Sequence, residues 1–153
     1  MNLFAAMDIS ASALTAERLR MDIISNNLAN VNTTRTENGG PYRRQIPVFT
    51  PREADARHPF RPVRPSARLH RSSVASGMGV RVSAIIEDPS PPQLRYDPGH
   101  PDADENGMVA MPNVHPVHEM VDLISASRAY EANVTAINAF KSMAMKALEI
   151  GRA

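Results

Sequence analysis

The residues best equipped for chemistry cluster between Asp97 and Glu119. Asp102, Asp104 and Asn106, followed by Gly107, place oxygen ligands at alternate positions and a glycine where the opening of a calcium-binding EF-hand loop needs them. The pattern stops at the twelfth position, which is Asn113 where a bidentate Glu is required, and Pro98, Pro101 and Pro112 deny the loop its flanking helices. An acidic, solvated turn is expected instead. His100, His115, His118 and Glu119 supply zinc-type donors, but Pro116 separates the close His pair and no helical metalloprotease spacing occurs. A third group, Arg52, Arg57, Arg61, Arg64, Arg68 and Arg71, recurs every three to five residues and could meet phosphates. Only Phe60 interleaves it, and its prolines forbid a groove-inserted helix, so a solvated loop or one facing acidic neighbours is expected and nucleic-acid binding is not. With no Cys, no glycine-rich phosphate loop and no nucleophile elbow, the sequence offers no catalytic, cofactor-binding or metal residues and reads as non-enzymatic.

The elements around these groups are set by proline. All 13 prolines fall between Pro41 and Pro116, leaving both ends of the 153-residue chain free to form long helices. From the first end, Leu3, Met7, Ser10, Leu14, Glu17, Met21, Ile24, Leu28 and Val31 recur at alternating steps of four and three and are apolar except for Ser10 and Glu17. From the other, Met120, Leu123, Ser127, Tyr130, Val134, Ile137, Lys141, Ala144 and Leu148 repeat the pattern, with Ala132, Ala136, Phe140, Met143, Ala147 and Ile150 as a second row. The second helix is expected at residues 116–150, because Pro116 suits a first turn whose N–H groups have no partner. Leu14, Met21, Leu28, Met120, Leu123, Tyr130, Val134, Ile137 and Leu148 are the expected assembly stripe, since amphipathic helices of this length need something to cover them.

Between the ends, residues 44–50 and 79–87 read as strands and residues 93–96 and 108–111 as short ones, while the prolines of residues 51–76 point to an extended exposed loop. The insert is dipolar: residues 32–81 hold ten Arg against Glu37, Glu53 and Asp55, whereas residues 82–116 hold Arg95 against six acids. No window approaches the roughly 18 apolar residues of a membrane span. The first positive charge is Arg18, and Asp8 interrupts what would be an apolar signal core, so a cleaved signal peptide is not expected. The expected fold is mainly α: two long terminal helices paired as a coiled coil, with a small β-containing, proline-rich insert. Residues 1–34 and 116–153 would form one discontinuous helical domain and residues 35–115 the insert.

The run Ser25-Asn26-Asn27-Leu28-Ala29-Asn30-Val31-Asn32-Thr33-Thr34 resembles the N-terminal signature of the bacterial flagellar rod and hook proteins. Gly39-Gly40-Pro41-Tyr42-Arg43-Arg44, the stretch Asp97–Asp104, Pro112-Asn113-Val114, Glu119–Ile124 and Ser127–Asn133 are similar to the proximal-rod members of the flagellar basal-body rod protein family. The likeness covers nearly the whole chain and departs in the arginine and proline-rich run Pro51–Arg71. It implies a structural subunit of the proximal rod, lying in the periplasm and assembled helically through its terminal helices as part of the drive shaft. The partners it implies are other flagellar rod subunits, further copies of itself and the flagellar type III export apparatus, with no cofactor. Asn26, Asn27, Leu28, Ala29, Asn30, Asn32 and Thr33 would then be an assembly signature. Residue patterning alone also accommodates a monomeric helical-hairpin binding module whose basic loop recruits an acidic partner.

Overall fold

The computed structural model describes residues 3–37, 39–52 and 78–151. The expected loop over residues 51–76 lies, from residue 53 onward, outside the described residues, and so do Arg57, Arg61, Arg64, Arg68 and Arg71.

Helix α1 runs Leu3–Ala29 and helix α2 runs Pro116–Ile150, so the chain is mainly α. Both segments lack interior Gly and Pro and are rich in Ala, Leu, Met and Ile. Pro116 occupies the first turn of α2, whose first main-chain bond runs from Glu119 N–H to His115 C=O at 3.0 Å. At the other end of α1, the Asn30 carboxamide donates to Asn26 C=O at 2.9 Å, which also accepts from Asn30 N–H at 3.1 Å, and its oxygen accepts from the Thr33 hydroxyl at 3.1 Å, so one side chain ties the helix end to the turn that follows.

The two helices lie against one another and run antiparallel, with Asn27 beside Glu119 and Arg20 beside Asp122. Ser12, Ala16, Ile23, Ile24 and Asn27 of α1 are buried, as are Glu119 and Ala126 of α2. Buried Ala16 and Ala126 are small enough for closely spaced helices, and the polar pair Asn27–Glu119 closes the seam at the insert end. Beyond Ala126 no residue of α2 is fully buried.

The insert supplies two antiparallel ribbons. Strand β1 (Gln45–Pro51) pairs with β2 (Val80–Glu87), with a register shift between Val48 and Phe49, and β3 (Gln93–Tyr96) pairs with β4 (Met108–Met111). These match the four expected strands to within one residue at each end. Pro47 and Pro51 are tolerated because a two-stranded ribbon has an outer edge needing no N–H. The first ribbon is attached to the middle of α1. The Ser12 hydroxyl donates to Ile9 C=O at 2.7 Å and accepts from Val80 N–H at 3.0 Å. Gly79 makes this approach possible: its φ is +97°, and a Cβ there would overlap the Ser12 hydroxyl. The second ribbon buries Val109 of β4, and Pro112 and Val114 are buried on the segment that leads from it into α2.

Candidate functional site

Among the described residues, a dense network of side-chain hydrogen bonds lies at the junction where both helices meet the start of β1. Asn27, on the last full turn of α1, is 1% exposed, and each of its polar valences is filled. Its Nδ2 donates to Gln45 C=O at 2.9 Å and to Glu119 Oε2 at 3.1 Å, while its Oδ1 accepts from Gln45 N–H and from the Tyr42 hydroxyl, both at 2.9 Å. Asn is a poor helix former because its amide competes for backbone groups. Here that competition is used: the carboxamide bonds to Gln45 as a neighbouring strand would, starting β1 where no third strand exists.

Glu119 is the second member. It is 0% exposed, with Oε1 accepting from Arg44 Nε in a 2.6 Å ion pair and Oε2 from Asn27. A buried carboxylate survives only when paired and hydrogen-bonded, and both oxygens are. Its place in the first turns of α2 adds the favourable helix dipole. Arg44 also reaches Asp122 at 3.5 Å, Asp122 meets Arg20 at 3.5 Å, and Arg20 lies 3.7 Å from Glu17. This outer part is solvent-screened, with Asp122 41% exposed, and contributes little beside the Arg44–Glu119 pair. An open groove of about 730 Å³ between residues 88–93 and the start of α2 leaves Arg44 partly in water. Arg44 N–H donates to Asn113 Oδ1 at 3.2 Å and Arg44 C=O accepts from Asp88 N–H at 2.8 Å, so its backbone is tied to both ribbons' flanks. Burial, and then the charges of Glu119 and Glu87, push the Tyr42 phenol above its ordinary value. Hydrogen bonds from Ser90 hold the Asp88 carboxyl below the usual carboxylate range.

The signature residues divide along these lines. Asn27 and Asn30 have internal work, Asn26 donates to the Tyr42 hydroxyl at 3.4 Å, and Thr33 C=O accepts from Tyr42 N–H at 3.0 Å. Leu28 is half-buried, whereas Ala29 and Asn32 are exposed. Of the stripe, Leu14, Met21, Leu123, Tyr130, Val134 and Ile137 are half-buried, and Met120 and Leu148 are exposed at 46% and 70%. The buried positions include Ser12, Asn27 and Glu119, which a search for apolar periodicity passes over. Arg44, Tyr42 and Glu119 sit in the family-like strings but carried no role there; the available signal was an Asn on a helix's last turn with a candidate ion pair elsewhere.

The zinc-type donors do not converge: Glu119 is engaged by Arg44 and Asn27, His115 and His118 stand with ring centres 5.5 Å apart, and His100 Nδ1 accepts from Asp102 N–H at 3.1 Å. Among the described residues no group of three or more His, Cys, Asp or Glu could hold a metal ion. In the EF-hand-like stretch, Asp104 Oδ1 accepts from Asn106 N–H at 2.9 Å and Met108 N–H at 2.8 Å, so that carboxylate builds the turn. Among the described residues no helix is long and apolar enough to cross a membrane.

The profile of the family described as "Flagella basal body rod protein" matches residues 7–35, and that of "Flagellar basal body rod FlgEFG protein C-terminal" matches residues 105–150. The flagellar basal-body rod protein FlgC of Borreliella burgdorferi is 51% identical over 156 residues, covering 98% of this chain and 98% of its own. The chain belongs to the FlgC family of flagellar basal-body rod proteins. FlgC of Bacillus subtilis is 50% identical, over 99% of this chain and 100% of its own, and FlgC of Salmonella typhimurium 40% identical over the same shares. As a FlgC-family member the chain is a structural subunit of the flagellar basal-body rod and not an enzyme. The two matched stretches hold the two helices, one with Asn27 and the other with Glu119, while Arg44 lies between them.

Proposed function

We propose that this rod subunit belongs to the proximal rod and assembles helically with itself and other rod subunits, the two terminal helices forming a coiled-coil axial core from residues 1–34 and 116–153 and residues 35–115 a peripheral insert. The observation that carries this reading is α2 itself. It has 35 residues, yet only Glu119 and Ala126 are buried, and Val117, Val121, Ile124, Met145 and Leu148 are all more than half exposed. One partner helix cannot cover such a surface, and a soluble monomer rarely leaves so much of it in water. Neighbouring subunits supply the missing cover.

In this reading the signature acts on assembly indirectly. Asn26, Asn27, Asn30 and Thr33 fix the elbow between α1 and the insert, while Leu28, Ala29 and Asn32 present its outer side to neighbours. The stripe positions left half-buried by the hairpin, such as Tyr130, Val134 and Ile137, complete their burial against adjacent helices. Export would proceed through the flagellar type III apparatus without a cleaved signal peptide, delivering the subunit to the periplasm as part of the drive shaft. The test is complementation of a strain lacking the native gene, with export measured separately. Val134→Asp should be exported and fail to restore swimming, because an unpaired carboxylate in a helix interface costs several kcal/mol or must take up a proton, on the order of magnitude expected for a desolvated charge. Exposed Arg43→Asp should swim. The reverse order would sink the reading.

A further inference from the structure

The β3–β4 ribbon is turned with its larger apolar side chains outward. In an antiparallel pair, residues directly opposite share a face. Leu94 therefore lies beside Ala110 and Tyr96 beside Met108, while Arg95 shares the other face with Val109. Val109 is 1% exposed, so that second face rests on the protein, while on the first Leu94 and Tyr96 are 66% and 69% exposed and Ala110 borders a groove shared with Thr34, Arg35 and Pro41. Four residue pairs make a marginal ribbon that gains from a cover on such a face. At its tip, beside the Tyr96–Met108 pair, stand Asp97, Asp104 and Glu105, and no Lys or Arg occurs from Tyr96 to Ser127.

The opposite character is found at the far end of α2. This helix is 35 residues long against 27 for α1, and its last turns expose Met143, Met145, Leu148 and Ile150. Lys141, Met145 and Leu148 fall at i, i+4 and i+7, one basic and apolar face, and from Ala132 to Gly151 the only acid is Glu149 against Lys141 and Lys146. The two surfaces cannot meet within one chain. The ribbon sits at the start of α2, where Gln93 Nε2 and His115 Nε2 are 3.2 Å apart, and a straight helix of 35 residues carries its last turn about 50 Å away.

We propose that the last turns of α2 dock on the outward face of the β3–β4 ribbon of a second copy of this chain, Met145 and Leu148 covering Leu94 and Tyr96 while Lys141 faces the acidic tip. The contact joins two different surfaces, so repeated head to tail it gives a ring where the rotation closes and an open helical series where it does not, and the rod reading selects the series. It rests on the rod-subunit reading above and names a surface that reading leaves open.

The chain has no Cys, so introduced thiols report cleanly on it. The double variant Leu94→Cys/Leu148→Cys, expressed in a strain lacking the native gene, is treated with a short bismaleimide in purified basal bodies. The expected result is a ladder of linked subunits that each single variant fails to give, weakened by Glu105→Lys and recovered when Lys141→Glu is added. Swimming without a ladder, or a ladder only from Val121→Cys/Leu148→Cys, overturns the docking and leaves the rod reading intact. A yield unmoved by the charge reversals also overturns it. If the unmodified chain fails to restore swimming, the rod reading falls and the docking falls with it.

Discussion

The carboxamide of Asn27 bonds the backbone of Gln45 on both sides, accepting its N–H and donating to its C=O at 2.9 Å each. A helix side chain thereby takes the place of a β-strand and fixes where the insert leaves the core. Asn27→Asp keeps the shape, removes both donors and sets a second carboxylate against Glu119. It should cost about 3–5 kcal/mol, the range for an uncompensated buried charge. Asn27→Ala, which leaves Gln45 and Tyr42 without partners, should cost about 1–3 kcal/mol. Urea unfolding of the purified subunit measures both; equal midpoints for Asn27→Asp and the unmodified chain would refute the arrangement.

Arg44 and Arg20 make ion pairs of very different worth. Removing the guanidinium in Arg44→Ala strands the fully buried Glu119, for a loss of about 3–5 kcal/mol. Arg20→Ala removes a guanidinium that is itself 29% exposed and should cost less than Arg44→Ala, although it takes the Arg20 charge from the buried Glu17 Oε2. A Glu119→Gln/Arg44→Met double variant should be more stable than Arg44→Ala alone, because no unpaired charge is left behind. Denaturation midpoints of the four proteins test the ordering.

The helices and strands were legible because their causes are local. Proline is absent from both ends and frequent between them, and Val80 and Val82 alternate with Arg81 and Ser83 as the start of a half-buried strand should, whereas Ala84 and Ile86, read as the same buried face, stand exposed. The junction was not legible, because its residues look like interruptions. Ser12 is buried since β2 backbone passes over it, Asn27 since Gln45 backbone faces it, and Glu119 since Arg44 arrives from 75 residues earlier in the chain. Periodicity records which positions repel water and is blind to polar groups whose partners come from a distant segment. Met120 and Leu148 of the stripe stand exposed in the single subunit, at 46% and 70%, where only a neighbour can cover them.

Gly79 should resist substitution. Gly79→Ala combines a left-handed backbone, costing about 1–3 kcal/mol, with overlap on the Ser12 side chain. Ser12→Gly in the same chain should recover the overlap and not the backbone strain, so the double variant's loss is smaller than the sum of the singles. Additive losses in thermal or urea unfolding would show that the two residues do not touch.

Tyr42 gives the junction an alkaline limit. Its folded pKa is raised above the ordinary 10.0, so the folded state holds the phenol proton more tightly than the unfolded chain does. Its contribution is fully present below about pH 10 and is lost as pH climbs from there through the folded value. Ionised, the oxygen could no longer donate to Asn27 Oδ1 and would face the charge of Glu119. Tyr42→Phe should be less stable near neutrality by about 1 kcal/mol, with the gap narrowing above pH 10. A gap that stayed constant up to high pH would contradict the assignment.

The most direct measurement is a side-chain-resolution density map of the basal-body rod containing this subunit. The account predicts α1 and α2 of one subunit side by side and antiparallel near the rod axis, the insert outside them, and Arg44 and Gln45 still seated on Glu119 and Asn27. Helices of one subunit parted and packed only on neighbours, or an insert swung away with Asn27 facing another chain, would contradict it.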